Sequence, residues 1–311
     1  MEIYSIGLAT DWPLDDDFFE IIEQVAHNRG LTTYIVYPFN LDETISRIRN
    51  NEIRFLSYYD RASDTSPQFL KIYPAMTENK VHFFVNLILQ KKASDKAFMH
   101  DQFVLNELAV PRTIIIPELV TELQTNLTEN DLDNLGKPFV IKPCLNTGSG
   151  SGVFLNAYTL EDVEEKRGEF PGDKYLLQEK IDPREQISKR FWFRVFYICG
   201  KTIITWWHND THKYELLADG DDNYIDPNQF TTIMQRIYNI CGLNFFSTEL
   251  AITTDKKVYA IDYVNEICDM RLQSKYADGI PDEVVKNIAE EIVGYLKRLL
   301  DLPSDYTRLK T

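Results

Sequence analysis

The chain has 311 residues, 44% of them hydrophobic, and 33 Lys and Arg against 48 Asp and Glu give a formal net charge of −15. That length holds two or three compact lobes, and the apolar share excludes a disordered chain. The acidic balance excludes a protein whose main partner is a nucleic-acid backbone or an anionic membrane, while leaving room for a small local basic pocket.

Residues 2–8 read as a first strand, and the polar run from Thr10 to Asp15 leads into a helix over 16–29. Its apolar positions Phe18, Ile21, Ile22 and Val25 recur at helical spacing, and Gly30 is a natural stop. A strand over 33–37, a helix over 41–50 and a strand over 53–58 follow. This βαβαβ alternation predicts a small parallel sheet with helices on its faces. It holds no G-x-G-x-x-G, so a dinucleotide fingerprint is missing. Residues 82–86 read as another strand. A helix starting at 94–96 and running to Leu108 comes next, capped by Ser94 or Asp95 and ended by Ala109-Val110-Pro111. A short strand at 113–116, an acidic helical stretch over 123–135 and a strand at 139–142 lead into a Gly/Ser loop. Beyond it lie a helix at 160–167, strands at 175–181, 191–199 and 202–207, and a helix at 227–241 ended by Gly242. Strands at 245–253 and 258–264 form a hairpin, and an amphipathic helix over 283–300 closes the chain.

Cys144, Cys199, Cys241 and Cys268 stand alone without a C-x-x-C pair. This argues against a zinc or thioredoxin-like site and for small core residues in a cytoplasmic chain. The opening MEIYSIGLATDW has no basic segment followed by a long apolar run, so no signal peptide is expected, and VHFFVNLILQ at 81–90 is too short to span a bilayer.

Two stretches carry the chemistry. The first is FVIKPCLNTGSGSGV at 139–153. Lys142 ends a buried strand, and Gly148, Ser149, Gly150, Ser151 and Gly152 follow. Glycines let backbone N–H groups turn toward an anion, and a lysine at the strand end holds a phosphate as a point charge. The stretch reads either as a triphosphate cradle whose loop closes over a nucleotide or as an ordinary flexible hairpin. It is not a P-loop, because the lysine precedes the glycines. The second stretch is the last hairpin, with Glu249 on one strand, Asp262 on the other and Asn265-Glu266 beyond. Cross-strand neighbours lie about 5 Å apart, so two carboxylates there repel unless something neutralises them. Mg²⁺ suits such oxygen donors. The alternatives are that both carboxylates face solvent, or that they pair with Arg194 or Arg271.

The ordered set resembles the ATP-grasp superfamily of carboxylate–amine ligases, which includes D-alanine–D-alanine ligase, glutathione synthetase and ribosomal-protein glutamyl ligases. The matches are Ser94-Asp95-Lys96 ahead of Leu108-Ala109-Val110-Pro111, then Phe139 to Pro143 with its loop, Leu177-Gln178-Glu179-Lys180-Ile181, Arg194 before a hairpin, and the acidic hairpin. Together they cover residues 90–270. The resemblance implies an α/β chain of three lobes: an N-terminal parallel-sheet domain over 1–89, a central lid over 90–175 and a C-terminal subdomain with the metal site over 176–311. It further implies that Lys96 and Lys142 bind ATP phosphates. Gln178 and the backbone of Glu179, Lys180 and Ile181 border adenine, and Glu185, or else Gln186, takes the ribose. Arg194 is the catalytic charge at the transferring phosphoryl group, and Glu249, Asp262 and Asn265 hold Mg²⁺. Arg271 contacts the second substrate or forms a structural salt bridge.

One feature departs from the family pattern. Two residues, not one, separate Asp262 from Asn265. A regular strand would put them on opposite faces; a bulge would restore the geometry, and otherwise Glu266 is the next ligand. The expected reaction joins a small-molecule or peptide carboxylate to an amine through an acyl phosphate. The alternatives are a small-molecule kinase and a non-catalytic ATP-binding protein. A kinase for a polyanion needs clustered cations, and the candidates after the hinge strand at 177–181 are Lys189, Arg190, Arg194 and Lys201, then Arg271 much later. His208 and His212 read as surface residues, and Phe191, Trp192, Phe193 and Phe196 as core.

Overall fold

A computed structural model describes residues 1–119, 127–145, 150–186 and 188–301. The expected βαβαβ unit is present. Strands β1 (Glu2–Ala9), β2 (Thr33–Val36) and β3 (Ile53–Asp60) pair in parallel, and β4 (His82–Phe83) joins at the edge, giving the order β2-β1-β3-β4. Helices α1 (Asp16–Asn28) and α2 (Leu41–Arg49) bury Phe18, Phe19, Ile22, Ile45 and Ile48. Gly30 adopts φ +74° just beyond α1, where a side chain would be strained.

Local chemistry revises the next stretch. The strand expected at 82–86 stops after two residues, because Asn86 caps a helix: its Oδ1 accepts from the backbone N–H of Ile88 and Leu89. That helix, α4 (Leu87–Ser94), follows α3 (Tyr73–Glu78). Ser94 closes α4, and Asp95 caps α5 (Lys96–Leu105) by accepting from Ala97 N and Phe98 N.

The middle sheet is antiparallel. It contains β5 (Thr113–Ile116), β6 (Phe139–Pro143), β7 (Phe154–Ala157) and β8 (Tyr175–Glu179) in the order β5-β8-β6-β7. Strand pairing carries it past residue 175, to Glu179. Helices α6 (Glu129–Leu135) and α7 (Leu160–Arg167) both open on capping boxes, from Thr128 and Thr159. Of the Gly/Ser loop, Gly148 and Ser149 lie outside the described residues.

A polar ribbon, β9 (Glu185–Gln186) with β10 (Lys189–Arg190), leads to the third sheet. There β11 (Trp192–Ile198), β12 (Lys201–His208), β13 (Lys213–Leu216), β14 (Phe245–Ile252) and β15 (Val258–Asn265) run antiparallel in the order β13-β12-β11-β14-β15. Helix α8 (Pro227–Cys241) lays Phe230, Met234 and Ile237 on that sheet. Helix α9 (Asp282–Asp301) crosses back onto α1, where Ile288 and Ile292 share a core with Phe18 and Ile22. Among the described residues, no helix is long and apolar enough to cross a membrane.

Candidate functional site

The site is assembled on one row of the third sheet. Arg194 on β11 pairs with Glu249 on β14, and Glu249 pairs with Asp262 on β15. Residues in register across adjacent strands project from the same face, so the three side chains meet. Arg194 Nη2 donates to Glu249 Oε1 at 2.6 Å, and its Nη1 lies 3.9 Å from Asp262 Oδ2. Trp192, two residues before Arg194 and on the same strand face, donates its indole N–H to Glu249 Oε2 at 2.8 Å. Sequence reading placed Trp192 in the core with Phe191, Phe193 and Phe196. It is buried with them, yet it also holds the carboxylate. The i, i+2 spacing to Arg194 was the available signal.

Two lysines complete the cluster from other elements. Lys96, the first residue of α5, puts its Nζ 3.6 Å from Asp262 Oδ1. Lys142, near the end of β6 and 6% exposed, donates to the Ile261 carbonyl at 2.9 Å. The backbone docks these elements as well, since Lys96 N donates to Cys144 O at 3.2 Å. Three cations against two carboxylates leave one positive charge. Burial lowers the Lys142 pKa to about 8; the Asp262 carboxylate opposes this and the Lys96 charge adds to it. Burial pushes the Asp262 carboxyl up, but Lys96, Lys142 and Arg194 outweigh it and hold the pKa near 2. Burial also works against the charge on Arg194, and the Glu249 carboxylate, together with Tyr214 and Asp262, more than offsets it. The carboxylates are therefore neutralised by the protein's own cations, the alternative that the sequence left open.

The irregular spacing of Asp262 and Asn265 is absorbed by the backbone. Asp262 pairs with Glu249 and Asn265 with Ser247, so three steps on β15 match two on β14. The extra residue forms a bulge and returns Asn265 to the Asp262 face. Glu266 is half-buried just beyond, and burial raises its pKa to about 7.

The expected adenine edge lies where β8 leaves the middle sheet. The Gln178 side chain is buried and turned inward, donating to Tyr263 Oη at 2.7 Å. Glu179 Oε2 accepts from Arg112 Nε at 2.7 Å, and Lys180 Nζ donates to Asn156 at 2.8 Å. Ile181 packs with Trp192, Trp207 and Ala251. Glu185 is exposed on the ribbon, paired across it with Arg190. Gly150 and Gly152 adopt φ of +78° and +68°, with Ser151 between them.

Arg271 takes the ion-pair alternative. Its Nε donates to Asp269 Oδ2 at 2.7 Å, and Nη1 and Nη2 donate to Asp278 at 3.1 and 2.8 Å. A substrate carboxylate would have to displace one of these. His212 stacks on Trp207, whose ring lies 4.9 Å from the Arg194 guanidinium, and His208 lies 3.5 Å from Glu215.

No protein-family model matches the chain, and no curated protein matches it. Solved structures do. The RimK domain protein ATP-grasp from Sphaerobacter thermophilus is 17% identical with a TM-score of 0.63, over 94% of this chain and 98% of that one. This is an ATP-grasp fold. The D-alanine–D-alanine ligase from Bacillus anthracis, complexed with ATP, matches this chain at 14% identity and a TM-score of 0.64, over 95% and 99% of the two chains. The macrocyclase MdnC from Microcystis aeruginosa, bound with precursor peptide MdnA, matches at 11% identity and a TM-score of 0.60, over 93% and 99%. The mixed architecture, a parallel N-terminal sheet followed by antiparallel sheets, is the one the sequence resemblance implied.

Proposed function

We propose that this chain is an ATP- and Mg²⁺-dependent carboxylate–amine ligase, acting on a small molecule or peptide through an acyl phosphate. The observation that carries this reading is the Arg194–Glu249–Asp262 row with Lys96 and Lys142 against it. Lys96 and Lys142 would bind the phosphates of ATP, with the 179–181 backbone at the adenine edge. Glu249, Asp262 and Asn265 offer only oxygen donors on one face, and Asp262 stays ionised at any ordinary pH, so they fit a hard divalent cation. Among the described residues there is no cluster of three or more His, Cys, Asp or Glu suited to a metal, so the set rests on two carboxylates and an amide. When bound there, Mg²⁺ would supply charge neutralisation at the phosphates.

The substrate carboxylate attacks the γ-phosphorus and ADP leaves. Arg194 offsets the charge that develops on the transferring group. The amine then attacks the acyl carbon, phosphate departs, and the amine proton passes to solvent or phosphate. A kinase for a polyanion is disfavoured by the acceptor side. Lys189, Arg190, Lys201 and Arg271 each stand against carboxylates, so no free cationic cluster is assembled among them. The four cysteines are unpaired, in keeping with a cytoplasmic enzyme.

The test begins with a thermal-shift screen of acids with ATP and Mg²⁺, since a ligand of the native state raises its melting temperature. Hydroxylamine is then added with the best-stabilising acid. Hydroxamate and free phosphate are expected. A stable phosphorylated product without free phosphate overturns the ligase in favour of a kinase, and no ADP above background favours a non-catalytic binder.

A further inference from the structure

Beneath the charged row lies a buried polar node. Tyr263 is fully buried between Asp262 and Val264 on β15. Gln178 Nε2 donates to its hydroxyl at 2.7 Å and to Thr113 Oγ1 at 2.9 Å. The phenol oxygen thereby receives one proton and keeps its own to donate, and His100 Nδ1 lies 2.7 Å away. Burial lowers the His100 pKa and so favours the neutral ring, whose Nδ1 accepts from the phenol in the tautomer with the proton on Nε2.

These bonds join three elements that the candidate site needs in register. Helix α5 opens with Lys96, β8 runs to the hinge, and β15 carries Asp262 and Asn265. The fourth element is β6, and it meets the node through Lys142, whose Nζ stands over the Tyr263 ring at 5.3 Å from the centroid. The same ammonium donates to Ile261 O, two residues earlier on β15. β6 and β15 belong to different sheets, so nothing in the strand pairing aims Lys142 at the carboxylate row. The aromatic ring and the carbonyl do.

We infer that Tyr263 is a positioning residue for the nucleotide site: its ring holds the Lys142 ammonium at the carboxylate row, and its hydroxyl, fixed between His100 and Gln178, sets the ring. A buried side chain locked by a fully satisfied hydrogen-bond network is what keeps a binding group in place. The inference rests on the reading of Lys142 as a phosphate contact.

The test measures binding of a non-hydrolysable ATP analogue with Mg²⁺ by calorimetry. Lys142→Ala is expected to weaken binding by roughly tenfold or more, and Tyr263→Phe by about threefold to tenfold. The double variant should bind no more than about twofold more weakly than Lys142→Ala alone, because a positioning residue has nothing left to position. His100→Leu should reproduce the Tyr263→Phe loss, and His100→Asn, which keeps an acceptor near the Nδ1 position, should restore it. Losses that add in the double variant overturn the assignment, since a structural defect acts with or without Lys142. Unchanged affinity in Lys142→Ala overturns the reading of Lys142 itself, and the Tyr263 assignment with it. If Tyr263→Phe does not fold, the same cycle is run between His100→Leu and Lys142→Ala.

Discussion

Asp262 stands in register with Glu249 across the last hairpin, on a row that Arg194 extends to a third strand. Two carboxylates on neighbouring strands would repel if left alone. Here Arg194 and Lys96 lie against them, so the pair is part of a balanced cluster before any ligand arrives.

Asp262→Asn therefore does more than remove a repulsion. It leaves Lys96, Lys142 and Arg194 facing one carboxylate, and the expected cost is about 1–2 kcal/mol of stability for a partly exposed charged contact. Turnover should be abolished. Denaturant melts beside a phosphate-release assay check both, and a variant that retains full Mg²⁺-dependent turnover removes Asp262 from the metal site.

Lys142→Ala should weaken nucleotide binding by roughly tenfold or more, the value of a charged hydrogen bond. In the wild type, the free Lys142 has its pKa lowered to about 8, mainly by burial. Above that pH it must take up a proton to hold a phosphate. Affinity should fall as pH rises through 8, by up to about tenfold per unit, while Lys142→Ala stays flat. The folding term has the opposite sign. An unfolded lysine keeps its proton to about 10.4, so this group makes stability rise with pH between about 8 and that value. Calorimetry across pH 7–9.5 reads the first effect and denaturant midpoints the second.

Arg194→Lys keeps a charge and loses the planar fork that meets Glu249. Nucleotide affinity should stay within a few-fold of wild type while turnover drops by about a hundredfold or more, because the lost contact is one made to developing charge. Steady-state kinetics separate the two. Equal losses in both would assign Arg194 to ground-state binding.

Gly152→Ala should destabilise the turn into β7. Its φ is +68°, and an added Cβ would lie 2.8 Å from Phe170 and 2.9 Å from Pro143. Strain and overpacking together cost about 2–4 kcal/mol. Gly150→Ala, at φ +78° with nothing within 4 Å among the described residues, should cost only about 1–2 kcal/mol. Chemical denaturation of both variants checks the difference.

Much of the scaffold was written locally. The apolar spacing of Phe18, Ile22 and Val25 with Gly30 gave α1, and Pro227 and Gly242 bounded α8. The short loop at 254–257 between two apolar runs put Glu249 and Asp262 on one hairpin, and the cross-strand pairing follows from that closeness in sequence. Local signals failed where they competed. The apolar run at 81–90 fits a strand or a helix, and Asn86 decided for the helix by capping it.

The order of residues along the chain already names the groups that could carry the chemistry: the lysines, the arginine and the carboxylates. How they are paired is a matter of the three-dimensional fold. Arg194 reaches Glu249 across 55 residues and His100 reaches Tyr263 across 163. Periodicity fixes the face on which a side chain emerges, whereas the partner it meets depends on strand order, on a bulge that turns Asn265 back toward Asp262, and on how α5 and β6 dock against β15.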